Sequence, residues 1–294
     1  MILDSSELLT TVVDEIRNVT DSIIIISAFS KLNTLEFIDN NINEQVKEKK
    51  ILLRWRLEDL QEGVTDIGIY RYCKENNWTL YINFDLHAKV YLFNRIKCII
   101  GSSNLTNKGF GLNKSSNIEI NTLVSIDKHE ERKVLSLFDI SYELNDVMFN
   151  KMKDAYESNG DKKKGEKWSE EILREINESK YKFWSYELIT SNTPLNINCH
   201  DIEIIGIKNK DDLLEIKQAF MQSKIYKWLN ENVNEEQYFG ALSQKLHEAI
   251  LDDPSIYRIT VKEYLKNIFT WIEVLDIDEF KIDKPRYSQR IRRI

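Results

Sequence analysis

Apolar runs of strand length alternate with amphipathic stretches of helical period along the first part of the chain. Leu9, Val12, Val13 and Ile16 recur at helical spacing, and the run Ile23-Ile24-Ile25-Ile26 behind them reads as a buried strand. A second cycle places a helix from about Thr34 to Lys47, carrying Leu35, Ile38, Ile42 and Val46, before a strand at Ile51 to Trp55. A third places a helix near Asp66 to Glu75 and a strand at Thr79 to Ile82. This alternation predicts an α/β fold, a mixed β-sheet flanked by helices.

The pattern changes at Leu86. Residues 86–93, 97–103 and 117–124 are apolar or alternating runs, and no helix fits between the first two, so a hairpin closing the sheet is expected. A helix from about His129 to Leu144, with Val134, Leu137, Phe138 and Tyr142 on one side, would cover the sheet. The polar segment 159–167 follows, with two glycines and the lysine run 162–164. It divides an expected catalytic domain, residues 1–158, from a smaller domain, mainly helical or winged-helix, residues 168–294. In that second part Phe239, Leu242, Leu246 and Ile250 form one helical stripe, and Val261, Leu265, Ile268, Phe269, Ile272 and Leu275 another. Trp168, Trp184, Trp228 and Trp271 read as core residues.

Composition narrows the class. With 294 residues and 42% hydrophobic content the chain can bury a sizeable core in one large or two unequal domains. No apolar run reaches membrane-spanning length, and the acids in MILDSSELLTTVVDEIRN do not fit a signal peptide, so a cytoplasmic protein is expected. Cys73, Cys98 and Cys199 are widely spaced, as idle thiols in a reducing compartment would be. A net charge of -7 argues against bulk attraction to nucleic acid or membrane and leaves room for a local basic groove. His129, His200 and His247 show no metal spacing, and no metal or other cofactor is expected.

Candidate chemistry sits at the changed pattern. In the run from Leu86 to Phe93 a period of two sends His87 and Lys89 to one face, and Leu86, Ala88, Val90 and Leu92 to the other. With a turn at 94–97, antiparallel pairing returns Gly101 to Asn104 beside them, placing Ser102 and Asn104 on a common side; Glu119 joins from the third run. Gly101 would let the backbone approach a ligand. Such a set suits phosphoryl transfer without a metal: an imidazole attacks phosphorus, an ammonium and an amide stabilise the growing charge, and a carboxylate holds the imidazole tautomer. A lone histidine on a strand is usually structural; its company decides otherwise here.

The string His87-x-Lys89, then Gly101-Ser102-Ser103-Asn104, then Asn117-Ile118-Glu119, resembles the HKD signature of the phospholipase D superfamily. Ser27-Ala28-Phe29 and Leu105-Thr106 extend the resemblance over about residues 20 to 125, while the family's Asp position holds Asn94. The resemblance implies that His87 forms a phosphohistidine, Lys89 and Asn104 grip the phosphate, Ser102 assists and Glu119 orients His87. It also implies two such motifs per site. This chain carries one, so a homodimer with a shared site is expected.

The carboxyl end, Lys284 to Arg293, has five cations and no acid. Together with Lys108, its Arg286, Arg290, Arg292 and Arg293 are candidate contacts to DNA phosphates, although pairing with the protein's own acids is an equal reading. The resemblance points first to a DNA endonuclease of restriction or phage-defence type, with a helicase, ATPase or methyltransferase as partner. The other readings are a phospholipid phosphodiesterase or phosphatidyltransferase, for which no membrane-binding element is seen, and a non-catalytic DNA-binding subunit of a defence complex.

Overall fold

A computed structural model of the chain describes residues 1–113, 116–158, 167–179, 181–252, 254–285 and 287–294. Arg286 and the lysine run 162–164 lie outside the described residues. Two compact units form, Met1–Glu131 with Ile140–Glu178, and Arg132–Asp139 with Ser179–Ile294.

The first unit runs β1 (Ile2–Asp4), α1 (Ser5–Arg17), β2 (Ser22–Ser27), α2 (Leu32–Asp39), β3 (Glu48–Leu53), α3 (Leu57–Gln61), α4 (Ile69–Glu75), β4 (Thr79–Ile82), β5 (Lys89–Phe93), β6 (Lys97–Gly101) and β7 (Ile120–Ser125). Then follow α5 (Lys128–Asp139), whose residues from Arg132 on belong to the second unit, and β8 (Tyr142–Glu143), α6 (Asp146–Ser158) and α7 (Glu170–Ser179). The strands make an eight-stranded sheet in the order β1-β7-β6-β5-β2-β3-β4-β8. β2, β3 and β4 are parallel and joined through helices, while β2 to β5 and the other neighbours are antiparallel. It is a mixed sheet flanked by helices.

The central strand β2 is buried at all six positions. Ile23 and Ile25 join the cluster with Leu8, Val12, Ile51, Tyr91 and Ile99, while Ile24 and Ile26 are equally inaccessible on the opposite face. A strand covered on both faces has no polar side to show, which is why this run is continuous rather than alternating. Tyr91 and Phe93, on the same side of β5 as Lys89, are buried as well, so the polar face expected there narrows to the end of the strand.

Several elements differ from the sequence expectation. The helix expected over 34–47 stops at Asp39, where Asn41 Nδ2 donates to the Phe37 carbonyl and Asn43 Oδ1 accepts the Gln45 N–H. Short amides compete here with the helical ladder. The helix expected over 129–144 ends at Asp139, because Tyr142 pairs with β4 instead. Trp168, Ile172 and Ile176 belong to the first core, so the second unit resumes at Ser179 rather than at residue 168.

Turn chemistry sets the β5–β6 hairpin. Asn94 and Arg95 have φ of 50° and 58°, and the Ile96 N–H donates to the Phe93 carbonyl at 3.2 Å. Consecutive left-handed residues match the twist of a tight hairpin, and asparagine tolerates that region better than most residues.

The second unit continues with α8 (Cys199–Ile205), α9 (Leu213–Gln222), α10 (Lys224–Asn232), β9 (Glu236–Tyr238), α11 (Phe239–Ala249), α12 (Arg258–Val274), β10 (Phe280–Asp283) and β11 (Arg290–Arg293). Its strands form an antiparallel sheet in the order β10-β11-β9. Leu242, Leu246, Val261, Leu265, Ile268 and Ile272 build the core, as their helical stripes require. Trp228 and Trp271 are buried, but Trp184 is 45% exposed and is not a core residue.

Candidate active site

The carboxyl ends of β2 and β6 meet the starts of β5 and β7 along one edge of the sheet. Ser27 lies opposite Lys89, and Gly101 opposite Asn121. This edge collects His87, Lys89, Ser102, Asn104 and Glu119. Ligands of open α/β sheets commonly bind outside such strand ends.

His87 precedes the first paired residue of β5 and is exposed, whereas Lys89 is only 8% exposed. Lys89 Nζ donates to the His87 carbonyl at 2.7 Å and stands 3.4 Å from both ring nitrogens. Burial, and then the nearby charge of Arg54, push the lysine pKa down, while Glu119 pulls the other way. An ammonium short of partners in a dry setting favours an incoming anion.

Ser102 Oγ donates to one oxygen of Glu119 and accepts the Ile120 N–H at 3.1 Å, while Asn117 Nδ2 donates to the other carboxylate oxygen at 3.0 Å. Glu119 is thereby held in place although it precedes β7 rather than lying in it. Asn104 Oδ1 accepts the Phe29 N–H at 3.1 Å. A backbone N–H can only donate, so the amide oxygen must face Phe29 and the NH₂ is presented elsewhere. Ser27 supports the same loop: its hydroxyl donates to the Phe29 carbonyl at 2.6 Å and accepts the Leu105 N–H at 2.9 Å.

Gly101 has a different reason from the one expected. A Cβ built there would fall 2.3 Å from Asn121 Oδ1 and 2.5 Å from the Ile120 carbonyl oxygen, so it is the protein's own β7 that approaches. Asn121 in turn accepts the Ser103 N–H at 3.3 Å and donates to Ser103 Oγ at 2.9 Å. Gly109 also serves packing, because a Cβ would meet the Asn104 carbonyl oxygen at 2.4 Å.

Sequence reasoning missed Arg54. Its guanidinium forks onto Asp59 at 2.8 and 2.7 Å and lies 4.7 Å from the centre of the Phe29 ring. The available signal was a lone arginine breaking the apolar run Ile51 to Trp55. Ser27 and Asn117 entered the family resemblance without a role of their own, and Asn121 was unassigned.

Beside this edge a cleft of about 690 Å³ is lined by Phe29, Lys31, Asn104, Asn107, Lys108 and Asn117, among others. Lys108 therefore shares a wall with Asn104. Asn94 stands at the opposite end of β5, where its Oδ1 accepts the N–H groups of Thr20 and Asp21 at 3.1 and 2.9 Å. An amide oxygen serves that purpose as a carboxylate would, so the departure from the family pattern leaves the site edge intact.

The carboxyl-terminal arginines belong to the second unit. Arg290 makes a fork with Asp283 at 2.9 Å and reaches Glu236 at 2.8 Å; its pKa is raised, chiefly by the Asp283 bond. Arg292 lies 3.6 Å from Asp283, and Arg293 donates to Asn230 at 3.0 Å. Arg290–Arg293 form a strand whose arginines meet the protein's own side chains. Among the described residues no group of three or more His, Cys, Asp or Glu could hold a metal ion, and no helix is long and apolar enough to cross a membrane.

Comparison with known proteins gives the same part of the chain a counterpart. Residues 12–133 match a family model described as cardiolipin synthase, PLD-like domain. A search of curated proteins finds no match. Among solved structures, the phospholipase D family member Nuc from Salmonella typhimurium is 16% identical, with a TM-score of 0.39, over 49% of this chain and 97% of that one. NucT from Helicobacter pylori is 14% identical, with a TM-score of 0.33, over 47% and 94%. The phosphatidylserine synthase of Haemophilus influenzae Rd KW20 is 15% identical, with a TM-score of 0.42, over 54% and 43%.

Proposed function

From the match of residues 12–133 to a PLD-like family model, we propose that this chain is a phosphodiesterase of the phospholipase D superfamily, a metal-independent DNA endonuclease of restriction or phage-defence type. The observation that carries this reading is the exposed imidazole of His87 beside the buried ammonium of Lys89, with Asn104 and the Ser102–Glu119 pair on the same sheet edge.

In this reading an imidazole nitrogen of His87 attacks the phosphorus of a phosphodiester, a P–N bond forms and the bond to one ester oxygen breaks. Lys89 and the Asn104 NH₂ stabilise the charge on the non-bridging oxygens, with Ser102 assisting and Glu119 orienting the ring. The departing oxygen takes a proton from a second histidine, and water then cleaves the phosphohistidine. The chain has a single H-x-K string, so the second histidine is His87 of another copy, across the axis of a homodimer. Lys108, on the cleft wall, contacts a neighbouring backbone phosphate, the second unit selects the DNA, and a helicase, ATPase or methyltransferase acts with the nuclease.

Purified protein incubated in excess EDTA with plasmid, and separately with phospholipid vesicles, tests the reading. Nicked or cut DNA and untouched vesicles are expected, with activity abolished by His87→Ala and a dimer seen by sedimentation. Turnover of the vesicles, or full DNA cleavage by His87→Ala, would overturn it.

A further inference from the structure

The second unit carries a chain order whose purpose the active site does not explain. α10, β9, α11, α12, β10 and β11 follow one another, and the sheet order β10-β11-β9 brings the last strand between the other two. A helix, a short strand, a helix pair and a returning hairpin make up a winged-helix arrangement, in which the second helix of the pair is the one offered to DNA. Here that helix is α12. The link from α11, residues 250–257, is longer than the usual three- or four-residue turn of a helix-turn-helix.

Burial divides α12 into two sides. Val261, Leu265, Ile268 and Ile272 face the core, while Arg258, Ile259, Lys262, Glu263 and Lys266 are exposed. Arg258, Lys262 and Lys266 repeat at four-residue intervals and so stack along one face over the first turns of the helix. Tyr257, just before the helix, is 83% exposed, and Ile259 is 69% exposed. Further along, Asn267 Nδ2 donates to the Thr190 carbonyl and Trp271 Nε1 to the Ser191 carbonyl, which ties the later turns to the body of the unit. The end left open is therefore the amino-terminal one, the end that reaches base edges when such a helix enters the major groove.

We propose that the amino-terminal half of α12 is a duplex-DNA-reading surface. Arg258, Lys262 and Lys266 contact the phosphates and base edges of the major groove, and Glu263 is the one acid among them, of the type that accepts from a cytosine amino group. β10 packs against α12, as the first strand of a wing does, and Tyr287, which precedes β11, is 97% exposed. Arg290 is committed instead to Asp283 and Glu236, so DNA contact moves from the carboxyl-terminal strand to the helix. The surface stands whether or not the first unit is a nuclease.

The test uses the full chain carrying His87→Ala, so that bound DNA stays intact, and fluorescence anisotropy with a labelled 30-base-pair DNA duplex and an RNA duplex of the same sequence. Two double variants are compared, Arg258→Ala with Lys262→Ala, and Lys208→Ala with Lys210→Ala, which remove equal charge from the same unit. Circular dichroism confirms that each is folded, which exposed substitutions permit. The α12 pair is expected to weaken DNA binding at least tenfold and to lower the slope of log affinity against log salt by roughly two. The 208/210 pair is expected to change affinity less than threefold, and the RNA duplex to bind more weakly, because its deep, narrow major groove does not admit a helix. Equal losses from the two pairs, no loss from the α12 pair, or equal affinity for RNA would overturn the proposal. Hydrolysis of bis(4-nitrophenyl) phosphate by the chain that keeps His87 and is otherwise unchanged reports separately on the catalytic reading.

Discussion

Lys89 Nζ is equidistant from the two ring nitrogens of His87, at 3.4 Å, and bonds that residue's carbonyl oxygen at 2.7 Å. A point equally far from both nitrogens in the plane of the ring would crowd the carbon between them, so the ammonium stands over the ring face. Neither nitrogen lone pair is then spent on the lysine. The geometry leaves the imidazole able to attack and the ammonium able to receive a phosphate oxygen.

The same placement has a cost in stability. Lys89 is buried and its pKa is lowered by burial and by Arg54, so its charge is less welcome in the folded than in the unfolded chain. The folded state therefore binds fewer protons between the lowered pKa and the ordinary 10.5, and stability rises with pH across that window. Lys89→Met is expected to raise stability at neutral pH by about 1 kcal/mol, to remove that rise, and to abolish phosphodiesterase activity. Urea unfolding at several pH values, beside an activity assay, measures all three.

Asn94 should behave as a structural residue. Asn94→Ala removes the acceptor for the Thr20 and Asp21 N–H groups and places alanine at positive φ, so a loss of about 1–3 kcal/mol is expected. Asn94→Asp restores the family residue and keeps an acceptor, and should leave both the melting temperature and the activity near wild type. A large change in activity without a change in melting would contradict this assignment.

Gly101→Ala drives a methyl group into Asn121 Oδ1 and the Ile120 carbonyl. β6 and β7 must separate, with an expected loss of about 1–3 kcal/mol, and Ser102 moves relative to Glu119. Activity measured well below the melting temperature should fall at least tenfold. Chemical denaturation and initial rates on the same preparation separate the two effects.

The thiols give a check on the packing. Burial pushes Cys73 up to about 12 and Cys98 up to about 11, whereas Cys199 is exposed. A thiolate-trapping reagent at pH 8 is expected to label one cysteine quickly and the other two only on unfolding. Rapid labelling of three in the native protein would mean that the sheet and its helices are less closed than described.

The HKD-like constellation was readable from one chain because strand periodicity is local. Two residues apart on a strand means one face, and a short turn returns the chain alongside, so His87, Lys89, Ser102 and Asn104 could be brought together on paper. The mixed sheet was equally legible, since buried parallel strands leave continuous apolar runs such as Ile23 to Ile26. Contacts between residues distant in sequence were not. That Asn104 is held by the Phe29 backbone, that Asn121 is what Gly101 makes room for, and that Arg54 bears on Lys89 each depend on strands and loops meeting across many residues. The carboxyl end shows the limit most plainly: its run of arginines has one composition whether it faces DNA or its own acids, and only the pairing of Arg290 with Asp283, imposed by the register of β10 on β11, decides which charges are already satisfied.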